Sequence, residues 1–357
     1  MPVYLCLVAL FAILIGLCFI DAKGIIANKI LFILMFTLLA YNKSNVDMGA
    51  YLTFYENIHT IKDIFVTDPA FGLIMYTGKL LGLDYYGFLA YLAVLGLIAL
   101  AIIFRHYSKL PAIVLALYFI FDYSAEIIQI RAFLAEMVMY VLMMDVIEEK
   151  QIRIKRFLIT LAIGVLLHST SIYFILILLP YIIKNRRRLT VIVFSCCFLV
   201  PVAATILQYI PIPILRDKLQ YYVMSQRGSV SMGALVYVLL FLMLTLFINH
   251  KARKEYDFLW HDKLNRLMDI HIITMIACVL MLYFTSNFYR ILRTVMVVDF
   301  IAIGNYYLET GKMKHRTYAI MGAGASMFFI VNELMFKGYY DIMLNNSLFE
   351  KIIHLSL

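Results

Sequence analysis

Four small groups of polar residues interrupt an otherwise apolar chain, and their types suit proton transfer and anion binding. Asp47, Tyr51 and Tyr55 recur at intervals of four, so a helix begun after Asp47 carries them on one face. The carboxylate there either caps the helix or takes a proton, and the two rings form either an interfacial aromatic belt or a sugar-binding surface. Gln129 and Arg131 follow Asp122 and Glu126 and precede Glu136. Arg131 either snorkels, pairs with one of those acids, or binds an anionic ligand, while Glu136 is read first as structural. The third group is His168-Ser169-Thr170-Ser171, in which the imidazole is either a satisfied core group or a base flanked by three hydroxyls. Arg290 and Arg293 stand three apart on one helical face, where they present two forks to a phosphate or anchor a helix at the interface. Asp299, deeper on the same helix, reads as a packing partner.

The elements that must hold these residues follow from composition. Of 357 residues, 64% are hydrophobic and 15% charged, too few charges to cover a water-facing globule of this size. At roughly 20 apolar residues per span the chain supplies on the order of ten transmembrane helices. Its formal charge of +9 is then a topology signal rather than a nucleic-acid footprint. The five cysteines lie in apolar runs without metal-ligand spacing and read as small core hydrophobes. Basic clusters at 23–29, 105–109, 150–156, 184–188, 251–266 and 312–316 are placed inside. The loops 43–68, 122–126, 210–232 and 286–289 and the tail from 338 are placed outside.

Parity then fixes the ambiguous stretches. Only 85–104 spans between the outer loop ending at Asp68 and the inner Arg105, so 69–83 is expected to lie on the outer interface as an amphipathic helix. Residues 157–183 have basic clusters at both ends and are too short for two full spans. A pair of short or re-entrant helices, 157–167 and 172–183, is expected to meet at His168 through Ser171, a break tolerated only where it is buried or lines a wet cavity. The other expected spans are 2–20 (a retained first span, not a signal peptide), 30–42, 110–121, 127–147, 190–209, 233–249, 269–285, 290–309 and 317–337, with both termini outside. The expectation is an all-α polytopic membrane protein of about 10–12 segments, a single integral membrane domain over 1–357 with residues 43–84 as outer loop and interfacial helix.

This topology rests on loop-borne Lys and Arg, yet it gathers Asp47, Arg131, His168 and Arg290 on the outer half of the membrane. Two arginines, an acid and a histidine in an outward apolar cavity suit a lipid-linked diphosphate and a hydroxyl to be activated. The order Asp47, Tyr51, Tyr55; Asp68, Pro69, Phe71; Gln129, Arg131, Leu134, Ala135; His168, Ser169; and Tyr289, Arg290, Ile291 resembles the EpsG family of Wzy-like bacterial polysaccharide polymerases. One departure is Ala132, where members commonly carry Gln.

The resemblance implies a membrane glycosyltransferase of GT-C-like fold in the bacterial inner membrane. It would join polyprenyl-diphosphate-linked oligosaccharide repeats on the outer, periplasmic side, making O-antigen or exopolysaccharide. It further implies Arg131 and Arg290, with Arg293 in reserve, on the diphosphate; His168 or Asp47 as base; and Tyr51, Tyr55 and Gln129 on sugar. No Asp-x-Asp occurs in the chain, so a metal-independent reaction without cofactor is expected. Membrane lipid, a chain-length regulator and a flippase of the same pathway are the expected partners, and nucleic acid is not. Two rival readings use the same outward site: a transporter or flippase of lipid-linked sugars, and an O-antigen ligase or membrane acyltransferase.

Overall fold

A computed structural model describes residues 2–21, 26–43, 45–149, 152–207, 258–276, 288–311 and 315–349, with isolated positions between 239 and 251 and at 351. The expected outer loop 210–232 and most of the expected span 233–249 lie outside these residues. The described chain is helical throughout, its one β feature being an isolated antiparallel bridge between Asn42 and Asn346. Five of the described helical stretches are long and apolar enough to cross a membrane: Val3–Ile20, Tyr85–Tyr107, Pro111–Ile128, Arg290–Glu309 and His315–Met335. Ala27–Ala40 and Ser169–Ile182 are shorter apolar helices. Large apolar side chains such as Ile13, Ile102, Ile320 and Met327 stand exposed on these helices. Such a surface is costly in water and natural against lipid. The protein is therefore an all-α, multi-pass membrane protein.

Two compact units make up the chain. The first comprises Met1–Leu142, Arg153–Ile172 and Phe300–Leu357. In it α1 (Pro2–Ile20) packs closely on the late helix α14 (His315–Phe336) through small residues. A Cβ added at Gly322 would come 2.7 Å from Phe19 Cβ and 3.1 Å from the Gly16 carbonyl, and Ser326 Oγ donates to the Ala12 carbonyl at 2.7 Å. Close backbone approach of this kind supplies helix association where lipid gives no hydrophobic drive. At the other end of the pair Tyr4 donates to Glu333 Oε2 at 2.9 Å, and the Tyr339 N–H reaches the same atom at 3.0 Å from just ahead of α15 (Tyr340–Leu344).

Between these lie α2 (Ala27–Ala40), α3 (Met48–Asn57), a 3₁₀ turn over Ile61–Val66, α4 (Pro69–Leu80) and α5 (Tyr85–Tyr107). Helix α4 occupies the stretch expected at the interface, and its first residue is proline, whose missing N–H costs nothing there. The expected outer loop at 122–126 is corrected. The chain stays helical from Pro111 to Ile128 through α6 (Pro111–Tyr118), a π-turn (Phe119–Tyr123) and α7 (Ser124–Ile128), and breaks only at Gln129. Asp122 and Glu126 read as loop polarity in sequence but are fully buried, where Tyr140 of α8 (Ile130–Glu148) donates to Asp122 Oδ2 at 3.0 Å and Glu136 Oε2 at 3.3 Å. The expected break at 168 is present: α9 (Ile154–Leu167) stops at an extended His168, and the chain resumes as 3₁₀ helix over Ser169–Leu178 before α10 (Leu179–Ile182). The tighter winding makes this second half less regular than the α-helix expected.

The second unit comprises Met143–Ile152 and Tyr173–Asp299. Leu189 and Val193 of α11 (Arg186–Leu207) form a small core with Ile272 and Ile273, which follow α12 (Phe258–His271). Arg186 Nε donates to Asp269 Oδ1 at 2.7 Å, and His271 Nε2 meets Asp299 Oδ1 of α13 (Phe288–Glu309) at 2.6 Å with both side chains fully buried. Asp299 is thus a helix-packing partner.

Candidate active site

Asp68 is the residue on which the first unit converges. It occupies the N-cap position of α4, where an aspartate ordinarily accepts from the helix's own N–H groups, yet its side chain makes no capping bond. The carboxylate is spent on tertiary partners instead. Arg131 Nη1 donates to Asp68 Oδ2 at 3.1 Å and to Thr67 Oγ1 at 3.1 Å. His168 Nδ1 lies 3.4 Å from the same Oδ2, and the Ser169 N–H donates to Oδ1 at 3.2 Å. One acid therefore binds the guanidinium, the imidazole and the start of the 3₁₀ segment together.

Local sequence explains how each side chain arrives. Gly72 allows α4 to press on the preceding 3₁₀ turn, since a Cβ there would overlap the Ile64 carbonyl oxygen. That turn is itself locked by a capping box between Thr60 and Asp63. Thr67 and Asp68 are so fixed between two anchored elements. Arg131 enters in the first turn of α8, directly after the Gln129 break. Gly164 lets α9 approach α8, a Cβ there overlapping Met139 Cε, and His168 then leaves the helix axis in an extended conformation. The imidazole is 9% exposed and the Arg131 side chain 29%.

Burial works to raise the Asp68 carboxyl, but the hydrogen bond and charge of His168, the charge of Arg131 and the Ser169 N–H outweigh it and hold the group below the usual carboxylate range. Asp68 is an anion at neutral pH. With a proton on Nδ1, His168 donates to that anion and offers Nε2 as an acceptor, the arrangement in which a carboxylate orients a histidine base. Separations above 3 Å are usual before substrate tightens such a set.

The other residues singled out in sequence divide plainly. Tyr51 lies under the site, with Arg131 Cζ 5.6 Å from its ring centroid, and is 4% exposed. Tyr55 stacks on Phe88 at 4.7 Å, holds Lys79 Nζ 4.6 Å from its ring centroid, and donates to the Leu83 carbonyl at 2.8 Å. Burial and then the Asp84 charge push its hydroxyl up to about 12. Sugar stacking needs an open ring face, and both rings are buried as packing surfaces of α3. Asp47 takes the N-cap of α3 without a side-chain cap, and its N–H donates to Asn45 Oδ1 at 3.1 Å. Its carboxylate is absent from the described contacts of Asp68, Arg131 and His168. Gln129 is half-buried at the break before α8. Arg290 and Arg293 lie on α13 in the second unit, the first half-buried and the second 1% exposed.

Arg131 is not paired with Asp122, Glu126 or Glu136 in the described contacts; its acid is Asp68, 63 residues away in sequence. The only sequence signal for Asp68 is an acid directly before Pro-x-Phe. Asp122, Glu126 and Glu136 have carboxylate oxygens within 4.8 Å of one another, and among the described residues they are the group with spacing suited to a cation. Three carboxylates that close in a buried site need a counter-charge or a shared proton.

The model of the EpsG family matches residues 25–346, nearly the whole chain. No curated protein and no solved structure matches.

Proposed function

The chain belongs to the EpsG family, and from that premise we propose that it is a membrane glycosyltransferase that polymerises polyprenyl-diphosphate-linked oligosaccharide repeats on the outer face of the bacterial inner membrane. The observation that carries this reading is the Asp68 carboxylate shared by His168 and Arg131. In the reaction, the acceptor sugar hydroxyl of the incoming repeat attacks the anomeric carbon of the growing chain. The C–O bond to the polyprenyl diphosphate breaks, and the diphosphate leaves with the electron pair. His168 Nε2 takes the hydroxyl proton, and Asp68 stabilises the imidazolium that forms. Arg131 meets the charge developing on the diphosphate with Nη2, which its described contacts leave unused. Tyr51 supports that guanidinium from beneath.

His168 is preferred to Asp47 as base because only His168 has an orienting acid among the described contacts. Arg290 and Arg293 keep their expected diphosphate role as a proposal for the second unit. A chain-length regulator and a flippase would act beside such an enzyme.

Deleting the gene separates this function from its rivals. A polymerase mutant displays surface glycan capped with a single repeat. A mutant with no surface repeat would point to a flippase, and full chains retained on the lipid to a ligase; either would refute the polymerase reading.

A further inference from the structure

We propose that the second unit carries a phosphate-binding pocket, lined by residues other than Asp68, Arg131 and His168. A cavity of about 240 Å³ opens there between the end of α8, α10 and α12. Its walls include Ile177 and Ile270, and its polar lining is Tyr181, Lys184, Arg266 and Asp269. The volume is below the roughly 300–1,000 Å³ of drug-sized sites, which suits a phosphate with a short polyol and excludes an oligosaccharide.

The polar groups are almost all donors. Asp269 is the one acid of the lining, and Arg186 neutralises it at 2.7 Å while also bonding Asn265 Oδ1 at 3.2 Å and the Asn265 carbonyl at 3.0 Å. Arg266 spends Nε on the Ile147 carbonyl at 2.8 Å, which fixes the root of the guanidinium and leaves its two terminal nitrogens. Lys184 Nζ lies 5.4 Å from the Tyr181 ring centroid. Among the described residues no carboxylate pairs with Lys184 or Arg266. The Tyr181 hydroxyl is shielded from solvent without a hydrogen-bond partner. A guanidinium fork, an ammonium and a hydroxyl that converge on one small cavity call for a ligand rich in acceptors and negatively charged, and a phosphate group supplies both.

Its two cations, Lys184 and Arg266, come from basic stretches that orient the chain, 184–188 and 251–266. By the positive-inside rule these sit at the headgroup level of the cytoplasmic leaflet, where anionic lipid phosphate is abundant. Lipid phosphate and free phosphate share this chemistry.

The test uses the full-length protein in neutral detergent, its unfolding followed by Trp260, the sole tryptophan, which is buried in this unit. Short-chain phosphatidylglycerol, short-chain phosphatidylcholine and inorganic phosphate are titrated separately. Stabilisation by phosphatidylglycerol alone assigns the pocket to a lipid headgroup, and stabilisation by inorganic phosphate as well assigns it to the phosphate itself. In either case Lys184→Gln, an exposed position, weakens the apparent affinity by about tenfold or more, and Tyr181→Phe by a few-fold, about the loss of one charge-assisted and one neutral hydrogen bond. No stabilisation by any probe, stabilisation by phosphatidylcholine equal to that by phosphatidylglycerol without a response to phosphate, or a shift undiminished in both variants would overturn the proposal.

Discussion

Replacing Asp68 with asparagine keeps the shape of the side chain and removes its charge, so it isolates what the carboxylate does for His168. When His168 accepts a proton in the transition state, a unit charge appears 3.4 Å from Asp68 Oδ2. At that distance and an effective dielectric near 20, the attraction is about 5 kcal/mol. The partial exposure of both groups reduces it to about 3–4 kcal/mol, or roughly a 10²- to 10³-fold fall in kcat. Asparagine also presents an N–H₂ that can hold the imidazole in the wrong tautomer, which acts in the same direction. The assay is single-turnover elongation by the purified full-length protein with a polyprenyl-diphosphate-linked repeat, with KM and kcat measured separately. The loss is expected in kcat, with KM changed far less, because His168 in the neutral form that acts as base gains its charge only as it takes the hydroxyl proton. An Asp68→Asn variant that elongates within about threefold of the native rate would refute the orienting role, since less than about 1 kcal/mol could then be assigned to it.

Other consequences follow from the same contacts. Arg131→Ala removes the partner of Asp68 and the proposed diphosphate contact, and elongation should fall by at least about 10- to 100-fold, with Arg131→Lys retaining part of it; product ladders from both variants check this. Gly72→Ala places a methyl against the Ile64 carbonyl, so about 1–3 kcal/mol of stability should be lost, together with elongation, as measured by thermal unfolding and the same ladder assay. Because the Asp68 carboxyl is held below its ordinary value of 3.8, its contribution to stability is complete above about pH 4 and is lost as pH falls through the lower folded value. An acid unfolding series should therefore show a fall in the native protein that Asp68→Asn lacks. Asp299→Ala leaves His271 buried beside a cavity and should cost about 3–5 kcal/mol, whereas His271→Leu combined with Asp299→Leu should recover most of it.

How far sequence foretold this structure depends on whether the controlling interactions are local. Helix α4 and the break at His168 were legible because parity and length forbade full spans there, and both are constraints of the bilayer rather than of side-chain detail. The buried helix through 122–126 was not legible. Asp122 and Glu126 carry the composition of a loop, and only Tyr140 and Glu136 from another helix reveal that they face inward. Asp68 was hidden for a related reason: an aspartate before proline reads as an ordinary N-cap, and its true partners lie 63 and 100 residues away. His168 and Arg131 were found as polar residues out of place in apolar runs. For Tyr51 and Tyr55 the i, i+4 spacing identified a shared face, and it could not tell that this face packs on Phe71 and Phe88.

The most direct test of the polymerase reading is to reconstitute the native protein in vesicles with its host's polyprenyl-diphosphate-linked repeat and follow both products. Polymerisation predicts a ladder of lengthening glycans with one polyprenyl diphosphate released per bond formed, and both absent in His168→Ala. Repeats that cross the bilayer unchanged, or a ladder that persists in His168→Ala, would contradict it.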